Sequence, residues 1–321
     1  MKILYASRSP LAGVCELMAR CVNEYFGETH EARTLNRGPG RHQWYRREGV
    51  DFAHYNIANR NQVDDALAWA DVVHCMANTS ARDMNRPDLL TRRVWVFQWH
   101  GAQIWPFERV WREKDYSKVR WIHIGQGWQR DAFFKPFFDR WGARVIPNIV
   151  TMDDPLHKPA PWEDRLDRIA FAPSTSRRKA VNRKGIEETV KGMSGVYQYD
   201  LISETPFQEC LKRKSVCRLG IDEVVTPLYH RSGLEFLSQG TPCICSYDAF
   251  TEQTLKDATG SPTMPFLNAV PDNLRSVISR YFKDFTIDDR QELGKYARRW
   301  MEHYYHPRRL LKLYFDVYEK G

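Results

Sequence analysis

Residues 229–245 read YHRSGLEFLSQGTPCIC, and this stretch decides the fold. Ser232-Gly233 reads as a helix start, with Ser232 as N-cap, because a Ser hydroxyl accepts a bond from a first-turn N–H that has no partner in the helix. Leu234, Phe236 and Leu237 supply the buried side. Gln239-Gly240-Thr241-Pro242 stops the helix: Gly tolerates the left-handed conformation that ends helices, and Pro cannot continue one. Cys243-Ile244-Cys245 then begins a buried strand. A helix running through Gly-x-Pro into a buried strand is one unit of a parallel α/β sheet. The start of that helix also carries chemistry. Its leading amides suit an anionic phosphate. Glu235, in the first turn, is placed to take both hydroxyls of a ribose, as acids do in dinucleotide folds. The plainer reading of Glu235 is an exposed acid in a favourable place on the helix dipole.

Working upstream, Gly220-Ile221-Asp222-Glu223 ends an apolar strand and sets two acids where ligands of parallel sheets bind. A loop acid capping a helix explains them as well. Further back, IAFAPSTSRRKAVNRKG (169–185) is a strand ending in a small polar turn, which includes Ser174. Arg177, Arg178, Lys179, Arg183 and Lys184 follow it. Hydroxyls, turn amides and cations at a strand's carboxyl end are what a diphosphate needs. A basic surface loop is the competing account.

The same alternation runs along the whole chain. Strands are predicted at 3–6, 32–35, 72–76, 94–98, 120–124, 144–147, 169–172, 196–201, 216–221 and 243–246. Helices are predicted at 13–26, 62–69, 127–141, 184–193, 206–213, 233–239, 272–282, 288–304 and 307–318. Val14, Leu17, Met18, Cys21, Val22 and Tyr25 recur at helical spacing on one face. The segment TMDDPLHKPAPWEDRLD (151–167) has repeated Pro and no periodicity, so it reads as a linker. The predicted organisation is therefore an N-terminal Rossmann-like domain over 1–150, a second over 151–304, and a C-terminal helix over 305–321 that packs back on the first. The active site is expected in the cleft between the two domains.

The chain has 321 residues, and that length suits two domains. At 42% hydrophobic and 27% charged it is globular rather than disordered. No apolar run reaches the roughly 18–20 residues a membrane-spanning helix needs. Seven scattered Cys without a CxxC argue against a disulfide scaffold or zinc site and for reduced thiols in a cytoplasmic setting, the host's if the protein is viral. The net charge of +8 is uneven: residues 1–150 hold 22 Lys and Arg against 16 Asp and Glu. Residues 33–47 (RTLNRGPGRHQWYRR) have five Arg and no acid. Arg37, Arg41, Arg46 and Arg47 could meet phosphates while Trp44 and Tyr45 stack on bases, or the segment is a solvated loop.

These residues resemble the GT-B glycosyltransferases, in particular the retaining families that include glycogen-synthase-like and mannosyltransferase-like enzymes. Their sugar-nucleotide helix, read loosely as E-A-M-A-x-G-x-P-V-I, stands here as Glu235-Phe236-Leu237-Ser238-Gln239-Gly240-Thr241-Pro242-Cys243-Ile244. The opening MKILYAS…AGV, Ala70-Asp71-Val72-Val73-His74, His100-Gly101, Val145-Ile146-Pro147-Asn148-Ile149-Val150 and Tyr305-His306-Pro307 match further family motifs in the right order. The resemblance implies an α/β GT-B fold of two Rossmann-like domains and a donor that is a nucleoside-diphosphate sugar, a UDP-sugar first of all. It assigns the ribose to Glu235 and the diphosphate to Ser232, Gly233 and Leu234, with Lys184 and one of Arg177, Arg178 or Lys179 as counter-charges. His100 is the best candidate for a cleft residue that touches the donor sugar or its phosphate, and Gly13 lies in the first strand–helix loop. It implies no cofactor and no metal; Asp153-Asp154 in the linker is set aside as a metal pair. The family's second Glu, eight residues before the ribose Glu, is Pro227 here, so either Asp222 or Glu223 substitutes or the polar contact to the donor sugar comes from elsewhere. The positive first half favours an anionic acceptor. A hydroxylated base in DNA, as in phage enzymes that modify bases, is preferred. A lipid-linked or envelope polysaccharide and a non-catalytic nucleic-acid binder stay open.

Overall fold

The structure is a computed structural model and describes residues 1–7, 13–36, 54–76, 94–99, 119–123, 143–173, 186–195, 197–203 and 205–319. The chain divides into two compact units, Met1–Ile149 with Pro307–Gly321, and Val150–His306.

The first unit is built on β1 (Lys2–Ser7), α1 (Val14–Phe26), β2 (Glu31–Asn36), β3 (Tyr55–Asn56), α2 (Arg60–Trp69), β4 (Val72–Met76), β5 (Val94–Trp99), β6 (Val119–His123) and β7 (Arg144–Val145). The strands form one parallel sheet in the order β3-β2-β1-β4-β5-β6-β7. β1 is buried from Ile3 to Ser7, as a strand covered on both faces must be. α1 buries Val14, Leu17, Met18, Cys21 and Val22, the face its spacing predicts. Gly13 caps it at φ 65°, a left-handed conformation that a Cβ would strain.

The chain's last helix, α9 in chain order (Pro307–Glu319), belongs to this unit. Its buried face is apolar with a polar seam. Tyr318 Oη lies 2.6 Å from His74 Nδ1 and 3.3 Å from Tyr5 Oη. Tyr314 Oη accepts from Gln98 Nε2 at 3.1 Å and donates to the Pro147 carbonyl. Arg120 donates to the carbonyls of Val317 and Tyr318, closing the end of the helix.

The second unit holds β8 (Leu166–Phe171), α3 (Ile186–Met193), β9 (Tyr199–Leu201), α4 (Phe207–Ser215), β10 (Cys217–Ile221), α5 (Arg231–Ser238), β11 (Cys243–Cys245), α6 (Ala249–Thr259), β12 (Leu267–Asn268), α7 (Leu274–Lys283) and α8 (Ile287–Tyr304). Its five strands are parallel in the order β12-β11-β10-β8-β9. The core between sheet and helices is Ile169, Phe171, Leu219, Ile221 and Ile244 against Met193, Leu274, Ile278 and Tyr281. All seven Cys are free, and six of them are buried. Among the described residues no helix is long and apolar enough to cross a membrane.

The predicted helix over 127–141 lies outside the described residues; among those described, three elements differ from the sequence-based expectation. β3 and β12 are two-residue edge strands, too short to show a period. α6 buries only Thr251, Leu255 and Thr259, so its apolar stripe is faint.

Candidate functional site

In the second sheet the winding reverses between β8 and β10: β9 lies on one side of that pair, β11 and β12 on the other. In open parallel sheets, ligands bind outside the carboxyl ends of the strands at such a reversal. Three features converge there: Ala172 after β8, Asp222 and Glu223 after β10, and the N-terminus of α5.

That N-terminus is set two residues earlier than its sequence suggests, which puts Glu235 beyond the first turn rather than in it. The N-cap is His230, with extended backbone, and the helix begins at Arg231. Ser232 is therefore inside the first turn and is not the cap. The reason is Asp222, whose carboxylate accepts the N–H of His230 and so holds the chain entering the helix. Glu223 braces the same loop, accepting from the N–H and hydroxyl of Thr226, with its other oxygen 3.3 Å from His230 Nε2. Both acids are buried and hold the entrance of α5 in shape. The capping reading of Asp222 is thus the one the geometry displays.

Ser232 turns its hydroxyl toward the end of β8, 3.4 Å from the Ala172 carbonyl. Gly233 packs on Asp222 and Phe266; a Cβ there would lie 3.0 Å from Asp222 Oδ2 and from a Phe266 ring carbon. Leu234 is buried, and its N–H donates to the His230 carbonyl at 3.3 Å. The amide of Leu234 is therefore engaged in the helix, which leaves Arg231, Ser232 and Gly233 as the leading amides ahead of it.

Glu235 is only 5% exposed. Its Oε2 lies 2.7 Å from Lys214 Nζ, and its Oε1 lies 3.1 Å from Arg231 Nε, one turn back on the same helix. The plainer sequence reading, an exposed dipole acid, is ruled out. Lys214 is 1% exposed at the end of α4 and also donates to Ser232 Oγ at 2.8 Å. Burial pulls its ammonium down, but Glu235, Cys210 and Asp222 outweigh this and hold it above the ordinary lysine range. Sequence reasoning missed Lys214. It stands in Lys212-Arg213-Lys214, which reads as a solvated basic last turn complementing the helix dipole. No local signal separates the one inward Lys from its neighbours.

The far end of α5 is equally fixed. Gly240 has φ 64°. Buried Arg165 donates from Nη1 to the Gly240 carbonyl at 2.9 Å and from Nη2 to the Gln239 carbonyl at 2.7 Å. Arg298 donates to the Ser238 and His157 carbonyls. Burial takes Arg165 down to about 10, so it remains a cation at neutral pH. Two arginines at the carbonyl end and one acid at the amide end set the helix's position on the sheet.

Other predicted residues fall elsewhere. Asp154 caps a short 3-10 turn, accepting from Leu156 N at 2.9 Å, and Asp153 lies 3.7 Å from His306 Nε2. Arg33, which opens the basic segment, is held at the sheet edge by Tyr55 and Glu31 and lies over the Trp69 ring. His100, Ser174, Arg178, Lys179, Lys184, Arg37, Arg41, Trp44, Tyr45, Arg46 and Arg47 lie outside the described residues.

No protein-family model and no curated sequence matches the chain. Solved structures do. An alpha-glucosyltransferase in complex with UDP-glucose and DNA containing an abasic site aligns over 99% of this chain and 98% of its own, at TM-score 0.70 and 10% identity. Anabaena HepE in complex with UDP aligns over 100% of both chains, at TM-score 0.63 and 12% identity. The chain has a GT-B glycosyltransferase fold. A glycosyltransferase from Rickettsia africae, at TM-score 0.67 and 13% identity, shares the GT-B architecture over 99% of this chain. GT-B chains pair two doubly wound α/β units, which is the organisation the ordered motifs predict. At these identities the likeness is one of fold.

Proposed function

We infer that the chain transfers a sugar from a nucleoside-diphosphate sugar, a UDP-sugar first of all, to a hydroxyl of an anionic acceptor. The observation that carries this reading is Glu235: a buried acid one turn inside α5, ion-paired to Lys214 and Arg231, on a helix that begins at the winding reversal of a parallel sheet. A carboxylate oxygen has two acceptor lone pairs. Lys214 and Arg231 each engage one oxygen, so each retains a second acceptor direction for a ribose hydroxyl. The diphosphate then lies over the first-turn amides of Ser232 and Gly233, where the helix dipole favours negative charge. Lys184 and Arg178 or Lys179 supply further counter-charge. As the sugar C1–O bond breaks, charge grows on the leaving diphosphate, and donors already in place stabilise it. His100 serves the donor sugar and Gly13 leaves room for a substrate at the first strand–helix loop. No metal enters this account. Retention of configuration, with the leaving phosphate taking the acceptor proton, belongs to the family resemblance.

For the acceptor, the reading is a hydroxylated base in DNA. Its support is the positive first half, the Arg37–Arg47 segment with Trp44 and Tyr45, and the fold shared with an alpha-glucosyltransferase solved on DNA. The test of the donor reading is a thermal-shift panel of sugar nucleotides. At least one raises the melting temperature of a sugar transferase. A protein that only binds nucleic acid ignores all of them and gains stability from DNA alone.

A further inference from the structure

Lys214 is a buried cation that the proposed chemistry leaves without a task. Its ammonium has three protons and three acceptors: Glu235 Oε2 at 2.7 Å, Ser232 Oγ at 2.8 Å and the Ser232 carbonyl at 3.4 Å. The ammonium lies over the Phe236 ring, with Nζ 4.7 Å from the ring centroid. A single group thus ties the acid of α5 to the residue that carries one of its leading amides. Stability is a poor reason for this arrangement, because replacing a buried ion pair by apolar side chains is often neutral or stabilising. The pair is itself buried, with the fully buried Phe236 ring against the ammonium.

We propose that Lys214 is a positioning residue of the donor site: it fixes the rotamer of Glu235 so that the carboxylate meets both ribose hydroxyls, and through Ser232 it locks that carboxylate to the diphosphate-facing turn. This rests on the reading of Glu235 as the ribose acid. The two oxygens are held from different directions, Oε2 by α4 and Oε1 by Arg231. Among the described residues the first hold alone comes from another element, so Lys214 sets the carboxylate relative to the sheet. Without it, Glu235 is free to collapse onto Arg231 along its own helix, and a vicinal diol no longer finds two aligned acceptors.

The test uses the full chain and the best stabiliser among UDP, ADP and GDP, each compared with its 2′-deoxy form by titration calorimetry. The wild type binds the ribose form about tenfold or more tightly than the deoxy form, as a hydrogen bond to a charged group requires. Lys214→Met keeps the stem and removes the ammonium. The expected result is loss of most of that ribose preference in a folded protein. The double variant Lys214→Met/Glu235→Gln is expected to lose no more than either single one, since the two side chains act as a unit. Should Lys214→Met fail to fold, Lys214→Gln keeps a donor to Ser232 without the charge, and the same loss is expected. A folded Lys214 variant with undiminished ribose preference overturns the positioning role while leaving Glu235 as the ribose acid. A wild type that binds both forms equally, or none of the diphosphates, overturns the Glu235 reading and this proposal with it.

Discussion

Nη1 of Arg165 lies 2.9 Å from the Gly240 carbonyl, just beyond the C-terminal end of α5. The guanidinium also meets the carbonyls of Gln239 and Ala160 and the hydroxyl of Thr241. Its planar fork reaches several acceptors at once, which an ammonium does not. Arg165→Met leaves these buried acceptors without donors. The expected cost is about 3 kcal/mol of stability, read as a lower urea midpoint at unchanged slope. Arg165→Lys recovers only part of it.

Gly220 on β10 meets the Phe236 ring of α5, so closely that a Cβ would lie 2.5 Å from a ring carbon. Gly220→Ala overpacks this contact and lowers stability by about 1–3 kcal/mol. Because α5 must shift to make room, nucleotide affinity falls as well. Thermal melting and calorimetry on the same variant measure the two effects together.

Acid weakens the first unit. His54 Nδ1 accepts the Thr34 N–H at 3.1 Å, so the ring is needed neutral. Burial, aided by Arg33, lowers His54 below its ordinary value of 6.5, and burial also lowers His30 where it stacks on Phe315. With the folded state resisting protonation, the unfolded chain binds more protons in this range. Stability is therefore full above about 6.5 and falls as pH drops below it. His54→Asn, which keeps an acceptor for Thr34, flattens that decline in a series of melts at decreasing pH.

The basic segment is tested through salt. Replacing Arg37, Arg41, Arg46 and Arg47 weakens DNA binding and reduces the slope of log K against log salt, by about 0.9 for each phosphate of duplex DNA that is no longer neutralised. An unchanged slope in the folded variant removes the segment from the DNA interface.

Much of this architecture is legible in the residues because parallel strands buried on both faces read as apolar runs. Ile3–Ala6, Val72–Met76 and Cys243–Cys245 are plain for that reason. Gly240-Thr241-Pro242 marks the stop of α5 through backbone chemistry alone. The start of α5 is harder to place. Ser232 is the better capping residue by type, yet the entry is fixed by Asp222, ten positions away and brought there by β10. A contact between elements leaves no mark on local pattern. The same holds for Lys214, whose inward direction depends on where α4 docks. α6 has clear punctuation, Asp248 as N-cap and Gly260 at φ 69°, but a weak apolar stripe between them.

The most direct measurement of the central claim is mass spectrometry of candidate acceptors, DNA with hydroxylated bases first among them, after incubation with mixed sugar nucleotides. The account predicts that an acceptor gains the mass of one sugar residue, and that Glu235→Ala slows this through donor binding weakened by about one to two orders of magnitude. It is contradicted if no acceptor gains mass while no sugar nucleotide binds, or if folded Glu235→Ala binds the donor as tightly as the wild type.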